Sequence, residues 1–153
     1  MQKIEFTKMH GLGNDFVIID RRSKKIEIND NLIQKLSDRR TGAGCDQLIT
    51  INDPKKNDAD VSIDIFNPAG DKAEACGNGT RCVAKILFDE NNEKETLKIL
   101  SDAGILIAKK SKDGISVNMG KITTDWNKIP LNKEMDTLSI PITVEGFGKG
   151  VAV

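Results

Sequence analysis

Between Thr80 and Phe88 the only charges are Arg81 and Lys85, four residues apart and so on one side of a helix, while Cys82, Val83, Ile86 and Leu87 cover most of the remaining circumference. A helix that is apolar nearly all round has to be buried, and the rest of the chain must wrap it. The flanking sequence has the period of strands. Ile4 to Asp20 reads as two strands about the glycine loop Gly11-Leu12-Gly13-Asn14-Asp15, the second carrying the apolar run Phe16 to Ile19. Leu48 to Ile51 reads as another. Val61, Ile63 and Ile65 alternate with Ser62 and Asp64, which predicts a half-buried strand ending in the turn Asn67-Pro68-Ala69-Gly70. A hairpin is expected from Ile105–Ala108 through Asp113-Gly114 to Ile115, Val117 and Met119, and Ile140, Ile142 and Val144 alternate once more. One short helix, capped by Asn29 or Asp30, carries Leu32, Ile33 and Leu36. The expected fold class is α+β: a strongly curved, barrel-like β-sheet around a central buried helix, rather than alternating βαβ units. Five Phe, one Trp and no Tyr make its core aliphatic.

Charge and composition exclude several functions. With 23 basic against 23 acidic residues, scattered together, the chain lacks the electrostatic footprint of a nucleic-acid binder. Its longest apolar runs are four residues, far from the roughly 20 that span a bilayer, so no membrane partner is expected. The start of the chain runs into a strand pattern without an apolar signal segment, and a cytoplasmic location is expected. Three cysteines, Cys45, Cys76 and Cys82, are too few and odd in number for a disulfide framework. With one His and no ligand spacing, no metal is expected.

The stretch that could do chemistry is Glu74-Ala75-Cys76-Gly77-Asn78-Gly79-Thr80-Arg81-Cys82. Cys76 falls just ahead of the buried helix, where free N–H groups and the positive end of the helix dipole favour a thiolate. Gly77 and Gly79 leave their N–H groups, with that of Asn78, open to a carboxylate. The plainer alternative is a small buried Cys in a glycine-rich turn. His10 reads as a proton carrier or a structural hydrogen-bonding residue. Asn14, Gln47 and Asn67 could present amides to a polar substrate or serve as turn and surface amides. Arg81 and Lys85 could reach a carboxylate or be solvated, and Cys45 and Cys82 read as packing residues.

Met9-His10-Gly11-Leu12-Gly13-Asn14-Asp15-Phe16, Thr41-Gly42-Ala43-Gly44-Cys45-Asp46-Gln47-Leu48, Phe66-Asn67 and Ala75 to Cys82, in that order and spacing, resemble the diaminopimelate epimerase family. Weaker likeness continues through Asn118-Met119-Gly120 and Asp125-Trp126. The resemblance implies inversion at one α-carbon of diaminopimelate, from the LL to the meso form, by a thiolate and a thiol and with no cofactor. It implies Cys76 as one acid/base, Gly77 and Asn78 as binders of the reacting carboxylate, and Asn14, Gln47 and Asn67 as further substrate contacts. It also implies a protein about twice this length built of two pseudo-symmetric halves. On that reading residues 1–118 are the N-terminal epimerase domain, 119–153 begin the second, and the chain is an N-terminal fragment expected to be inactive alone. Open strand edges make a homodimer a candidate assembly. Relatives in fold, the proline racemase-like and phenazine-pathway isomerase-like proteins, usually place His after the Cys-Gly or use a carboxylate base, unlike Asn78 and Cys76. A rival of another class is a non-catalytic module that holds an amino acid or docks a partner.

Overall fold

In the computed structural model, which describes residues 3 to 152, the apolar run Phe16 to Ile19 lies in β2 (Asn14–Asp20) and is buried at all four positions. Both faces are covered because a helix lies on each. β2 pairs antiparallel with β1 (Thr7–Gly11) across a tip, Leu12-Gly13, at φ of 55° and 87°, the left-handed pair that suits the twist of a two-residue hairpin. The chain then forms α1 (Asp30–Ser37), with Asn29 as its cap, and returns as β3 (Gln47–Asn52) parallel to β2. β4 (Val61–Phe66) runs antiparallel to β3, with β5 (Lys72–Ala73) beside its end. After α2 (Gly77–Glu90), β6 (Thr96–Ser101) lies parallel to β4, and β7 (Gly104–Ser111) and β8 (Gly114–Asn118) complete a meander.

The strand order is β1-β2-β3-β4-β6-β7-β8, and α2 packs against both end strands, β1 and β8, as well as β2 and β7. A sheet whose two ends touch one helix has curled around it. The core on that side joins Cys82, Val83, Ala84, Leu87 and Phe88 of α2 to Phe16, Ile18, Ile49, Ile63, Ile65 and Ile99. A smaller cluster on the other side sets Val17, Ile19, Cys45 and Leu48 against Leu32 and Leu36 of α1. The curved sheet and buried helix match the sequence expectation. The parallel pairs were not anticipated, because each helix joins two parallel strands in the middle of a sheet whose ends are hairpins.

β4 also departs from the half-buried pattern, since Ser62 and Asp64 are buried along with its apolar residues. Their polar groups are satisfied rather than solvated. Ser62 Oγ accepts from the Lys55 N–H at 2.9 Å, and Asp64 accepts from Lys72 Nζ at 2.7 Å and Asn52 Nδ2 at 3.0 Å. Burial pushes the Asp64 carboxyl up, but the Lys72 hydrogen bond and the charges of Lys55 and Lys72 outweigh it and leave it below its ordinary value.

Residues up to Met119 form one compact unit and those from Gly120 another. The second holds a single turn of 3-10 helix at Trp126–Lys128 and a hairpin of β9 (Ile140–Val144) and β10 (Gly148–Ala152). Its Ile142, Val144, Phe147 and Val151 are exposed.

Candidate active site

Topology gathers the residues singled out above. β2 and β3 are parallel and begin at the same edge, so Asn14 opens one strand and Gln47 its neighbour. β4 runs the other way, and Asn67 follows its last residue at that edge, where Leu48 pairs with Phe66. The turn beyond closes through Gly70 N–H to Asn67 O at 2.9 Å and Asn67 N–H to Asp71 O at 2.8 Å, with Pro68 accommodated.

Cys76 is the N-cap of α2, in extended conformation. Its carbonyl takes the Thr80 N–H at 2.8 Å and the Thr80 hydroxyl at 2.9 Å, which fixes the residue at the helix end. Its Sγ accepts from the Gly79 N–H at 3.4 Å, as the oxygen of a Ser cap does, and its S–H reaches Asn14 Oδ1 at 3.7 Å. The thiol is half-buried, its inner side against the main core, whereas Cys45 and Cys82 are fully buried. Burial pushes the Cys82 thiol up, and Cys45 Sγ donates to Ser37 Oγ at 3.4 Å. The N–H groups of Gly77 and Asn78, in the first turn, have by position no acceptor within the helix.

Packing explains two of the glycines. A Cβ on Gly79 would stand 2.5 Å from Ile49 Cδ1 and 3.4 Å from the Phe16 ring, so any side chain here forces Ile49 or the turn to move from its place on β2 and β3. A Cβ on Gly11 would meet Asn78 Cβ at 3.2 Å, where the end of β1 approaches the same turn.

Asn14 and Cys76 are thus in contact, with Gly77 and Asn78 in the turn that follows. Gln47 Nε2 donates to Asn67 Oδ1 at 3.1 Å and Asn67 Nδ2 to Asp71 at 2.6 Å, which makes a second amide group at the shared strand edge. Arg81 reaches back one turn to donate to Asn78 Oδ1, while Lys85 pairs with Asp89. His10 is exposed on β1, opposite Asp15 in register.

Sequence reasoning missed a charged bracket around Asn14. Arg39 Nη2 bridges Asp15 Oδ1 at 2.6 Å and Asp46 Oδ1 at 2.7 Å, and Lys8 Nζ pairs with Asp15 Oδ2 at 2.7 Å. The Arg39 hydrogen bond holds the Asp15 carboxyl well below the usual carboxylate range, against a smaller effect of burial. The Asp15 N–H, followed by the Asn14 amide, lowers Asp46 in the same way. The signal was present in the sequence, since an acid adjoins each of two candidate amides, in Asn14-Asp15 and Asp46-Gln47.

The curled mixed sheet on a buried helix is a fold that this chain shares with solved racemase and epimerase structures. The crystal structure of a probable proline racemase from Agrobacterium radiobacter K84 superposes with a TM-score of 0.67 at 14% identity, over 97% of this chain and 48% of that one. The chain belongs to the diaminopimelate epimerase family, whose pattern residues 6–124 match. It is 47% identical over 148 residues to the diaminopimelate epimerase of Zymomonas mobilis, covering 97% of this chain and 52% of that protein. It is 44% identical over 139 residues to that of Gluconobacter oxydans, covering 91% and 52%. The chain spans about half the length of these curated relatives.

Proposed function

We propose that this chain supplies one half of an amino-acid epimerase that interconverts LL- and meso-diaminopimelate without a cofactor, with Cys76 as one of two acid/base thiols. The observation that carries this reading is the sulfur itself: half-buried, at a helix N-terminus, between the Gly79 N–H and Asn14 Oδ1. Inversion removes the α-proton on one face of the carbon and delivers a proton to the other, so it needs two groups on opposite sides. A thiolate takes the proton, the electron pair moves into the adjoining carboxylate, and a thiol opposite protonates the carbon. The N–H groups of Gly77 and Asn78 are the donors for that carboxylate, preorganised where negative charge grows. Asn14, Gln47 and Asn67 hold the polar remainder of the substrate.

Cys45 and Cys82 are poor candidates for the opposite thiol, because both are sealed in the core. The second thiol therefore comes from outside these 153 residues, and the chain by itself neither inverts the substrate nor binds it tightly. The test is α-hydrogen exchange in heavy water by the natural full-length polypeptide that carries this chain. Exchange that disappears on Cys76→Ala is the expected result. Amino-acid binding that survives Cys76→Ala, with no exchange in the unaltered protein, would instead mark a non-catalytic binding module.

A further inference from the structure

Asp46 has no role in the scheme above, yet it is hydrogen-bonded to the Asn14 amide that faces Cys76. Asn14 Nδ2 donates to Asp46 Oδ2 at 3.1 Å. An ionised carboxylate only accepts, so the amide nitrogen is obliged to turn that way, and Oδ1 is delivered to 3.7 Å from Cys76 Sγ. The carboxylate is fixed in its turn. Its Oδ2 also takes the Asp15 N–H at 2.9 Å, and its Oδ1 takes Arg39 Nη2 at 2.7 Å. The Asp46 N–H donates to Asp15 O at 2.9 Å and Asp15 Oδ1 at 3.0 Å, which closes a reciprocal clasp between the starts of β2 and β3.

We propose that Asp46, clamped by Arg39 and Asp15, is a positioning residue that locks the Asn14 amide with its carbonyl toward Cys76. The sulfur then meets one acceptor, Asn14 Oδ1, and one donor, the Gly79 N–H. The acceptor favours S–H and the donor favours the thiolate, so the two contacts oppose each other. Such a balance suits a group that releases a proton in one direction of an inversion and accepts one in the other. Only that last step rests on the proposed function. With the amide reversed, both neighbours are donors and the S–H loses its acceptor.

Asp46→Leu tests this on the full chain. Leucine, of similar size, offers no acceptor, so nothing holds Asn14 Nδ2 away from the sulfur and the Asn14 amide turns over for part of the time. Labelling of Cys76 by iodoacetamide near neutral pH is followed by peptide mass spectrometry. With a donor in place of an acceptor at the sulfur for part of the time, labelling accelerates at least about twofold. The acceleration is absent in the Asn14→Ala background, where adding Asp46→Leu changes nothing. No acceleration, or the same acceleration with and without the Asn14 side chain, overturns the proposal. A second readout needs no variant. The two side-chain N–H signals of Asn14 in a 1H–15N spectrum are well separated, with one slow to exchange, and a pair resembling a solvated amide overturns the proposal equally. Neither readout requires substrate, so a failure of α-hydrogen exchange counts against the epimerase reading while leaving these results standing.

Discussion

Replacing Gly79 with Ala puts a methyl carbon 2.5 Å from Ile49 Cδ1, and a relaxed carbon contact needs about 3.5–4.0 Å. The gap must open by roughly 1 Å beside a side chain with no exposed surface, whose neighbours Phe16 and Ile18 are equally buried. Overpacking of this kind costs about 1–3 kcal/mol. Alanine's better helix propensity returns at most about 1 kcal/mol, and less in a first turn. The net loss is therefore about 1–2 kcal/mol. With a urea slope of roughly 2 kcal/mol/M, the unfolding midpoint falls by about 0.5–1 M while the slope stays the same. A midpoint equal to or above that of the unaltered chain would refute the packing argument.

Gly77→Ala gives the opposite separation of effects. Its Cβ makes only ordinary contact with Met119 Sδ at 3.4 Å, so stability changes by less than about 0.5 kcal/mol in a urea titration, while on the proposed function α-hydrogen exchange drops because the methyl crowds the N–H groups proposed to hold the carboxylate. Asn29→Ala removes the acceptor of the Leu32 N–H, a 3.0 Å bond, and lowers stability by about 1 kcal/mol in a thermal melt. Asp15 and Asp46 have carboxyls held below their ordinary value in the fold, so their contribution is present above about pH 4 and lost as pH falls through the depressed values. Urea midpoints measured between pH 5 and pH 2 fall accordingly, and fall less in Arg39→Gln.

The sequence made the buried helix legible because apolarity on nearly all faces has one physical outcome. It also pointed to Cys76, since a Gly-rich segment before such a helix supplies free N–H groups. Ser62 and Asp64 misled because alternation tells which side chains share a face but not what covers the polar one. Here Lys55, Lys72 and Asn52 cover it. The acids of the clasp stood beside candidate amides in the sequence, but that Arg39, Asp15 and Asp46 would meet was out of reach for a related reason. Their meeting depends on β2 and β3 being parallel neighbours, a pairing set by the crossover through α1 and invisible in any local pattern. Of the candidate amides, Asn14 meets the thiol where the first turn of α2 packs on β2 and β3, and Gln47 meets Asn67 because β4 returns to the edge where β3 starts.

The rates at which Cys45, Cys76 and Cys82 are alkylated in the folded chain near neutral pH, each normalised to its rate in denaturant, test most directly whether one thiol is set apart for chemistry. Cys76, on the helix cap and partly open, reacts at least about tenfold faster than the two core thiols. Comparable protection of all three would mean that the cap confers no access and no activation, and the catalytic account would not stand.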